Sequence, residues 1–134
     1  MFDLVSFVRS AAVAVVYGGI EYGYVNRKEA EWTRGVEGFF EKPVLGQFTP
    51  YHVFLLFPLF VVVAFALPLT AWAGNFFLLG LGEDIAYFGW RRKRVMKGEW
   101  TTKILGSFSV GDVVVPTWWP ILFLLVVLLY LVPL

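Results

Sequence analysis

The sequence predicts an all-α integral membrane protein, a four-helix bundle made of two antiparallel helical hairpins. The chain of 134 residues is 59% hydrophobic and only 16% charged, whereas soluble domains average about 45–50% apolar and about 25% charged residues. Its mean hydropathy is +0.73, and long stretches carry no charged residue. A chain of this length forms one domain, so we expect a single polytopic membrane domain over residues 1–134.

The first predicted span, residues 2–25, is mostly apolar but contains Asp3, Arg9 and Glu21. A secretory signal peptide is the alternative for this segment. We expect a retained helix, because the region before the apolar stretch carries Asp3 rather than basic residues and no convincing small-residue cleavage site follows.

The second and third spans are predicted at residues 51–70 and 74–90, joined by a tight turn at 71–75. A membrane helix needs about 20 mainly apolar residues, and residues 51–70 contain no charge. Kinks are expected at Pro58 and Pro68, which membrane helices tolerate when neighbouring groups bond the freed carbonyls. The third span ends in a run of basic residues.

The fourth span is predicted at residues 118–134, which are uncharged and begin with a tryptophan pair suited to the membrane interface. The two longer loops, 26–50 and 91–117, hold ten of the eleven Lys and Arg residues, with Arg9 as the exception. Because cytoplasmic loops are enriched in Lys and Arg, we expect both loops in the cytoplasm and both termini outside the cell membrane.

Both loops carry apolar residues among their charges, which predicts interfacial segments in the headgroup layer. The tripeptide Glu-Trp-Thr occurs once in each loop, at 31–33 and 99–101. This recurrence is compatible with a duplicated two-helix unit, although the rest of the two halves does not align.

The composition excludes several kinds of site. The chain has no cysteine, which excludes disulfides, thiolate nucleophiles and cysteine-ligated metals. Its one histidine, His52, excludes any site in which this chain supplies two imidazole ligands. A net charge of +1 argues against a nucleic-acid partner. The glycine-rich stretches at 18–23 and 80–84 lack the strand context and spacing of nucleotide-binding motifs.

Four ionisable residues are predicted to lie in one shallow layer near the cytoplasmic surface. At 1.5 Å per residue, Glu83 lies about 10 Å below Trp90, at the end of the third span, and Glu21 is about 6 Å below the end of the first. The other two are Asp84, beside Glu83, and His52, at the entrance of the second span. An intramembrane ionisable residue is a functional candidate by default.

The acid pair is expected to flank one groove. Successive helical residues point about 100° apart, and Gly80, Tyr87 and Arg91 fall between the directions of Glu83 and Asp84. The groove would be floored by Gly80, with the tyrosine hydroxyl one turn above it and the guanidinium two turns above.

These positions define the candidate site residues. An ionised carboxylate in hydrocarbon costs about 2.5–3.5 kcal/mol on insertion scales, so the acids need partners or protons. The candidate catalytic residues are Glu83, Asp84 and Tyr87. The candidate ligands of a divalent cation (Mg, Mn, Fe or Zn) are Glu83, Asp84, His52 and Glu21. The candidate residues for an anionic headgroup or phosphate are Arg91, Arg92 and Arg94.

Three functions agree with this pattern. The first is a small membrane-embedded enzyme that acts on a lipid or isoprenoid at the cytoplasmic interface, through metal binding or acid–base chemistry by the buried carboxylates. The second is a non-catalytic subunit of a larger membrane complex, in which the acids form ion pairs and residues 91–94 only set the topology. The third is a proton or cation transport component, which would need a homo-oligomer to form a pathway. Membrane lipid is a partner in each case.

Overall fold

The computed structural model of the protein describes residues 3–25, 39 and 42–132. This part of the chain is mostly helical and includes one small sheet. The α-helices are α1 (Leu4–Ile20), α2 (Phe57–Val63), α3 (Leu69–Arg91) and α4 (Trp118–Leu131). A π-helical turn extends α1 (Glu21–Val25), a second precedes α2 (Tyr51–Leu56), and a 3₁₀ turn spans Trp100–Lys103. Most of the predicted loop 26–50, including the first Glu-Trp-Thr, lies outside the described residues.

Helix α1 is capped at its start and buries its small residues. The Asp3 carboxylate accepts a hydrogen bond from the backbone N–H of Val5 at 3.1 Å, which satisfies one of the free donors of the first turn. The residues that α1 buries recur every four positions: Ser6, Ser10, Ala14 and Gly18. Positions four apart lie on one helical face, so α1 presents a narrow strip of small side chains to its neighbour.

That neighbour is α3, which runs parallel to α1, since Ser6 meets Asn75 and Gly18 meets Ala86, with the two backbones in contact. A Cβ placed on Gly18 would lie 2.8 Å from the Glu83 carbonyl oxygen and from the Tyr87 nitrogen. A Cβ on Gly82 would lie 3.0 Å from the Ala14 Cβ. Small residues at such a crossing let two helices approach closely.

The prediction of a turn at 71–75 is wrong, because α3 begins at Leu69, directly after Pro68, and continues through this segment. Gly74 packs against the Tyr130 ring, whose Cε1 would lie 2.9 Å from an added Cβ. Asn75 is completely buried. This Gly-Asn pair therefore serves helix packing and not a turn.

The second predicted span is also shorter than expected. The helical part runs only from Tyr51 to Val63, and residues 64–68 form a break before α3. Backbone carbonyls at and near the break accept hydrogen bonds from side chains: Asn75 to Ala64 (3.1 Å), Trp72 to Val61 (2.8 Å) and Arg9 to Phe65. Side chains of α1 and α3 thus donate hydrogen bonds to backbone carbonyls that the break deprives of helical partners.

A β-hairpin lies between the 3₁₀ turn and α4, and the all-α prediction omitted it. Strand β1 (Ser107–Val110) pairs antiparallel with β2 (Val113–Pro116), from Ser107 opposite Pro116 to Val110 opposite Val113. Gly111 occupies the two-residue turn with φ of 60°, a conformation that such hairpin turns require and glycine adopts freely. The alternation of polar and apolar residues near 107–110 was the sequence signal for this element.

One described helix is both long and apolar enough to cross a membrane. It runs over Leu4–Gly23, 20 residues with a mean hydropathy of 1.4. The apolar helices Tyr51–Val63 and Trp118–Leu131 are shorter, and α3 has 23 residues but carries the two buried acids. The four-span arrangement stays a prediction.

Large apolar side chains face outward in these helices, while polar ones lie inside. Val5, Phe54, Val62 and Leu131 are each at least 70% exposed. The buried polar residues of α1 and α3 are Ser6, Ser10, Thr70, Asn75, Glu83 and Asp84. Soluble domains seldom bury acids and seldom expose contiguous apolar surface. This inverted distribution is what a lipid or protein environment around the helices would favour.

Two polar layers lie at opposite ends of the bundle. Asn75 forms the centre of one, where its amide donates to the Ser6 hydroxyl (2.9 Å) and accepts from the Tyr130 hydroxyl (2.6 Å). The other surrounds Glu83 and Asp84 at the end where α3 finishes and α4 begins, which we call the loop end. Between the layers the core is mainly apolar, with Ala14, Phe60 and Leu79 almost fully buried and Ser10 as a buried polar residue of α1.

Candidate functional site

Two cavities adjoin at the loop end of the bundle. The apolar chamber, about 200 Å³, is walled by aromatic and aliphatic side chains that include Phe57, Phe60, Phe76, Phe77, Trp118 and Leu122. The polar chamber, about 690 Å³, is lined by charged and hydroxyl-bearing residues that include Thr49, Tyr87, Arg91, Glu99, Thr101 and Lys103. Four residues line both chambers: Glu21, His52, Asp84 and Trp100. The sequence predicted three of these four in a common layer.

Asp84 is held at the junction by two neutral donors. Its Oδ2 accepts a hydrogen bond from the Thr101 hydroxyl at 2.6 Å and from the Trp119 indole N–H at 2.8 Å. Among the described residues, no Lys or Arg forms an ion pair with this carboxylate. The residue is only 9% exposed. Asp84 therefore joins α3, the 3₁₀ turn and α4 without being neutralised by a cation from the described part of the chain.

The contact with Trp118 determines the direction of the hydrogen bond between Thr101 and Asp84. The Trp118 indole N–H donates to both the carbonyl oxygen and the hydroxyl oxygen of Thr101, at 3.0 Å each. An indole nitrogen can only donate, so the threonine hydroxyl accepts from Trp118 and gives its own proton to Asp84. Chains of this kind polarise each bond in turn and fix the orientation of the carboxylate.

Glu83 lines the apolar chamber and is 6% exposed. Its Oε1 has no hydrogen-bond partner in the described structure. The side chain lies within hydrogen-bonding reach of the Glu21 carboxyl, and Glu21 Oε2 accepts from the Tyr51 hydroxyl at 3.5 Å. Two carboxyl groups this close share a proton or a cation, because both cannot be ionised side by side without one.

His52 is stacked against Trp100, with ring centroids 4.8 Å apart and planes 5° from parallel. Its Nδ1 accepts a hydrogen bond from the backbone N–H of Thr49 at 3.2 Å. An Nδ1 that accepts carries no proton, so the imidazole is neutral with its proton on Nε2. Both His52 and Glu21 lie in π-helical turns, a local geometry that is frequent at functional sites.

Arg91 is paired with Glu99 and not with the acids of α3. Its guanidinium forms a two-pronged ion pair with the Glu99 carboxylate, also donates to the Arg94 carbonyl at 2.9 Å, and lies 4.5 Å from the Phe88 ring centroid. The hydrogen bonds from Arg91 hold the pKa of Glu99 below its usual range, and the same bonds raise the pKa of Arg91. Of the three arginines predicted to bind an anion, Arg91 lines the polar chamber, while Arg92 and Arg94 are exposed beyond the end of α3.

The predicted groove over Gly80 is divided between the two chambers. Gly80 lines the apolar chamber, whereas Tyr87 and Arg91 line the polar one. The Tyr87 ring packs edge-on against Tyr22, with centroids 5.9 Å apart, and lies 5.9 Å from the Arg91 guanidinium carbon. The catalytic role of Tyr87 stays a prediction.

No group of three or more histidine and acidic side chains is positioned to hold a metal ion within the described residues. Glu83, Asp84, His52 and Glu21 do share the wall of the apolar chamber. Oxygen and imidazole ligands suit several divalent cations, so the metal-binding role of these four residues remains a prediction.

The sequence analysis missed the residues that fold over the acids from the loop 91–117. The second Glu-Trp-Thr supplies three of them: Glu99 pairs with Arg91, Trp100 stacks on His52, and Thr101 bonds to Asp84. The recurrence of this tripeptide was the available signal, but it was weighed only as weak evidence for a duplicated unit. The tryptophan pair at 118–119 was interpreted as an interfacial anchor, whereas its indole groups point at the site.

Comparison with known proteins finds no matching family model, no matching curated protein and no matching solved structure. Function must therefore be argued from the chemistry of the site.

Proposed function

We propose that the protein is a small multi-pass membrane enzyme that acts on a lipid or isoprenoid at the cytoplasmic interface. The supporting observation is the division of the site into an apolar and a polar chamber that meet at Asp84. A pocket with apolar walls and a few converging polar groups is the usual form of a small-molecule site. A ligand with a hydrocarbon chain and a polar head would place the bond between them beside this carboxylate.

The membrane location is supported by the inverted packing of the helices. Their outward surface is rich in Val, Leu and Phe, and their interior contains hydroxyl, amide and carboxyl groups. The helix break at 64–68 also supports a membrane location, because side chains donate hydrogen bonds to its carbonyls. Non-helical backbone at membrane depth is tolerated only where protein groups or enclosed water satisfy it.

Asp84 is the group best placed for acid–base chemistry. Two neutral donors fix its Oδ2, and no described residue donates to its Oδ1. A carboxylate that is oriented but not neutralised can take a proton from a bound substrate and return it. The Nε2–H of His52 and the Tyr87 hydroxyl are candidate donors across the chambers. A divalent cation held by the acids would add charge stabilisation, but no step proposed here requires one.

A transport function is less well supported than ligand binding at the loop end of the bundle. A transport pathway needs polar groups from one side of the membrane to the other. The two polar layers, around Asp84 and around Asn75, are separated by Leu79 and Phe60, which are at most 1% exposed.

A role as a non-catalytic subunit is favoured by one observation. Of the 14 residues of α4, only Val126 is buried, so most of this helix is available to a partner helix. The subunit role predicts that the purified chain converts no lipid and that its acids serve only to stabilise an assembly.

Turnover by purified protein distinguishes these roles. The protein would be reconstituted with a panel of phospholipids, polyprenols and polyprenyl phosphates, and products would be followed by mass spectrometry. We expect conversion of at least one substrate, and about 100-fold slower conversion by Asp84→Asn, since one acid–base group contributes about 10²–10⁴ in rate. Asp112→Asn, in the exposed hairpin turn, is the matched acid-to-amide control and should keep the wild-type rate. Equal rates in both variants, or no conversion by wild type, would contradict the proposal.

Topology can be tested independently, because the native chain has no cysteine. Leu4→Cys lies at the exposed start of α1, near the terminus predicted outside, and Lys97→Cys lies in the loop after α3. A membrane-impermeant maleimide should label the first in intact cells and the second only after permeabilisation. Labelling of both from the same side would exclude the four-span arrangement.

A further inference from the structure

The apolar chamber carries an excess of acidic groups. Glu21, Glu83 and Asp84 line it, and no Lys or Arg is among the described residues of its wall. His52 is neutral because its Nδ1 accepts a hydrogen bond. Arg91 lines the polar chamber and not the apolar one, and its guanidinium is already paired with Glu99.

Glu83 indicates that a ligand of the apolar chamber would be positively charged. It is 94% buried, since 6% of its surface is exposed, and its Oε1 faces no hydrogen-bond donor in the described structure. A buried polar atom without a partner is unfavourable. A buried acid whose neighbours are another acid and hydrophobic rings calls for a proton or a positively charged ligand.

The rest of the wall selects the kind of cation. Phe57, Phe76, Phe77, Trp100 and Trp118 surround the chamber. Aromatic rings attract cations that have given up their water, and rings combined with acids are a recurrent way to bind alkylammonium groups. Magnesium and calcium instead prefer six or more oxygen ligands, including retained water, which a chamber of about 200 Å³ with mainly apolar walls supplies poorly.

We propose that the apolar chamber binds a lipophilic organic cation, an alkylammonium ligand, with Glu83 as its counter-charge. The inference rests on the proposed function in taking these chambers as a ligand site. It goes further by giving the ligand a positive charge next to its hydrocarbon part. The arginine run after α3 led to the opposite expectation, an anionic headgroup.

Two short probes of opposite charge test this assignment. Hexyltrimethylammonium and hexanesulfonate have the same alkyl chain, and each would be titrated into the full-length protein in nanodiscs of zwitterionic lipid, with binding followed by calorimetry. We expect the ammonium probe to bind and the sulfonate not to bind. Glu83→Gln should weaken ammonium binding by about tenfold or more, whereas Asp112→Asn should bind as wild type does.

A second variant covers the case in which Glu83→Gln does not fold. Phe77→Leu removes one ring of the wall without changing any charge and should weaken ammonium binding by about threefold or more. The inference is overturned if hexanesulfonate binds in place of the ammonium probe, or if the folded variants bind the ammonium probe as wild type does. In a third titration, magnesium is added to the protein with the ammonium probe already bound. Displacement of the probe by magnesium would overturn the inference and assign the acids to a metal.

The binding and turnover experiments test the two proposals separately, so that either proposal can be refuted without the other. Ammonium binding without conversion of any lipid would refute the enzymatic proposal and leave the cation site standing. Lipid conversion that depends on Asp84, without ammonium binding, would refute the cation site and leave the enzymatic proposal standing.

Discussion

Gly18 lies where α1 and α3 touch through their backbones, and we predict that one added methyl group there separates the two helices. A Cβ on Gly18 would lie 2.8 Å from three atoms: the Ala86 Cβ, the Glu83 carbonyl oxygen and the Tyr87 nitrogen. Two of these are backbone atoms that no side-chain rotation can move. Because non-bonded carbon atoms prefer about 3.5–4.0 Å, the helices would have to shift by several tenths of an ångström or more.

The magnitude follows from two opposing effects. Overpacking of this kind costs about 1–3 kcal/mol, whereas alanine favours a helix over glycine by about 1 kcal/mol. Gly89 is the matched control, because it occupies the same third-from-last position in α3 and an added Cβ there meets nothing within 4 Å. Subtracting the effect of Gly89→Ala from that of Gly18→Ala removes the helix propensity and leaves about 1–3 kcal/mol of destabilisation.

The assay is equilibrium unfolding of the purified protein in mixed micelles, with helix content followed by circular dichroism. Gly18→Ala should also weaken ligand binding at the loop end, because the atoms displaced belong to Glu83 and Tyr87. If Gly18→Ala and Gly89→Ala unfold at the same denaturant concentration, the close crossing of α1 and α3 is incorrect, and the placement of Glu83 that depends on it is incorrect as well.

Three further predictions concern the remaining contacts. Because hydrogen bonding by Arg91 lowers the folded-state pKa of Glu99, this ion pair stabilises the fold above the ordinary glutamate pKa of about 4.3. That contribution is lost as the pH falls through the lowered folded-state value, so the acid-induced drop in the thermal midpoint should be smaller in Glu99→Gln. Asn75→Leu removes an amide that bonds three neighbours and should lower the free energy of unfolding by about 1–3 kcal/mol or more. Trp119→Phe removes one hydrogen-bond donor from Asp84 and should lower the free energy of unfolding by about 0.5–1.5 kcal/mol. An unchanged free energy of unfolding would contradict the described geometry.

The part of the site that local helix geometry determines was accessible from the sequence. Glu21, His52, Glu83 and Asp84 were expected in one layer from the rise of a helix and the ends of the spans. The structure places all four on the wall of the apolar chamber. This agreement requires only that each segment is helical and that helices following one another along the chain run in opposite directions, which short-range patterns indicate well.

The partners of these residues depend on contacts between distant segments. Thr101 and Trp119 lie 17 and 35 residues from Asp84, and they reach it only because the 3₁₀ turn and the hairpin fold the loop back over α3. Trp119 also has an ordinary explanation at a membrane interface. A residue type that suits two environments equally well cannot be assigned to one of them from sequence alone.

The misplaced turn has a similar origin. Gly74 and Asn75 are typical turn residues, and Pro68, a few residues earlier, is an equally good signal for the end of a helix. The choice between the two positions was decided by packing: Gly74 admits the Tyr130 ring, and Asn75 bonds to the Ala64 carbonyl of the preceding segment.

The break at 64–68 has a consequence for biosynthesis if the chain crosses the bilayer as proposed. The Phe65 carbonyl is bonded by Arg9, which leaves the ribosome first, but the Ala64 carbonyl is bonded by Asn75, which leaves it later. Exposure of such a carbonyl to lipid would be costly. The segment from 51 to 68 must therefore stay at the insertion channel or the bilayer surface until α3 is made, and then enter together with it.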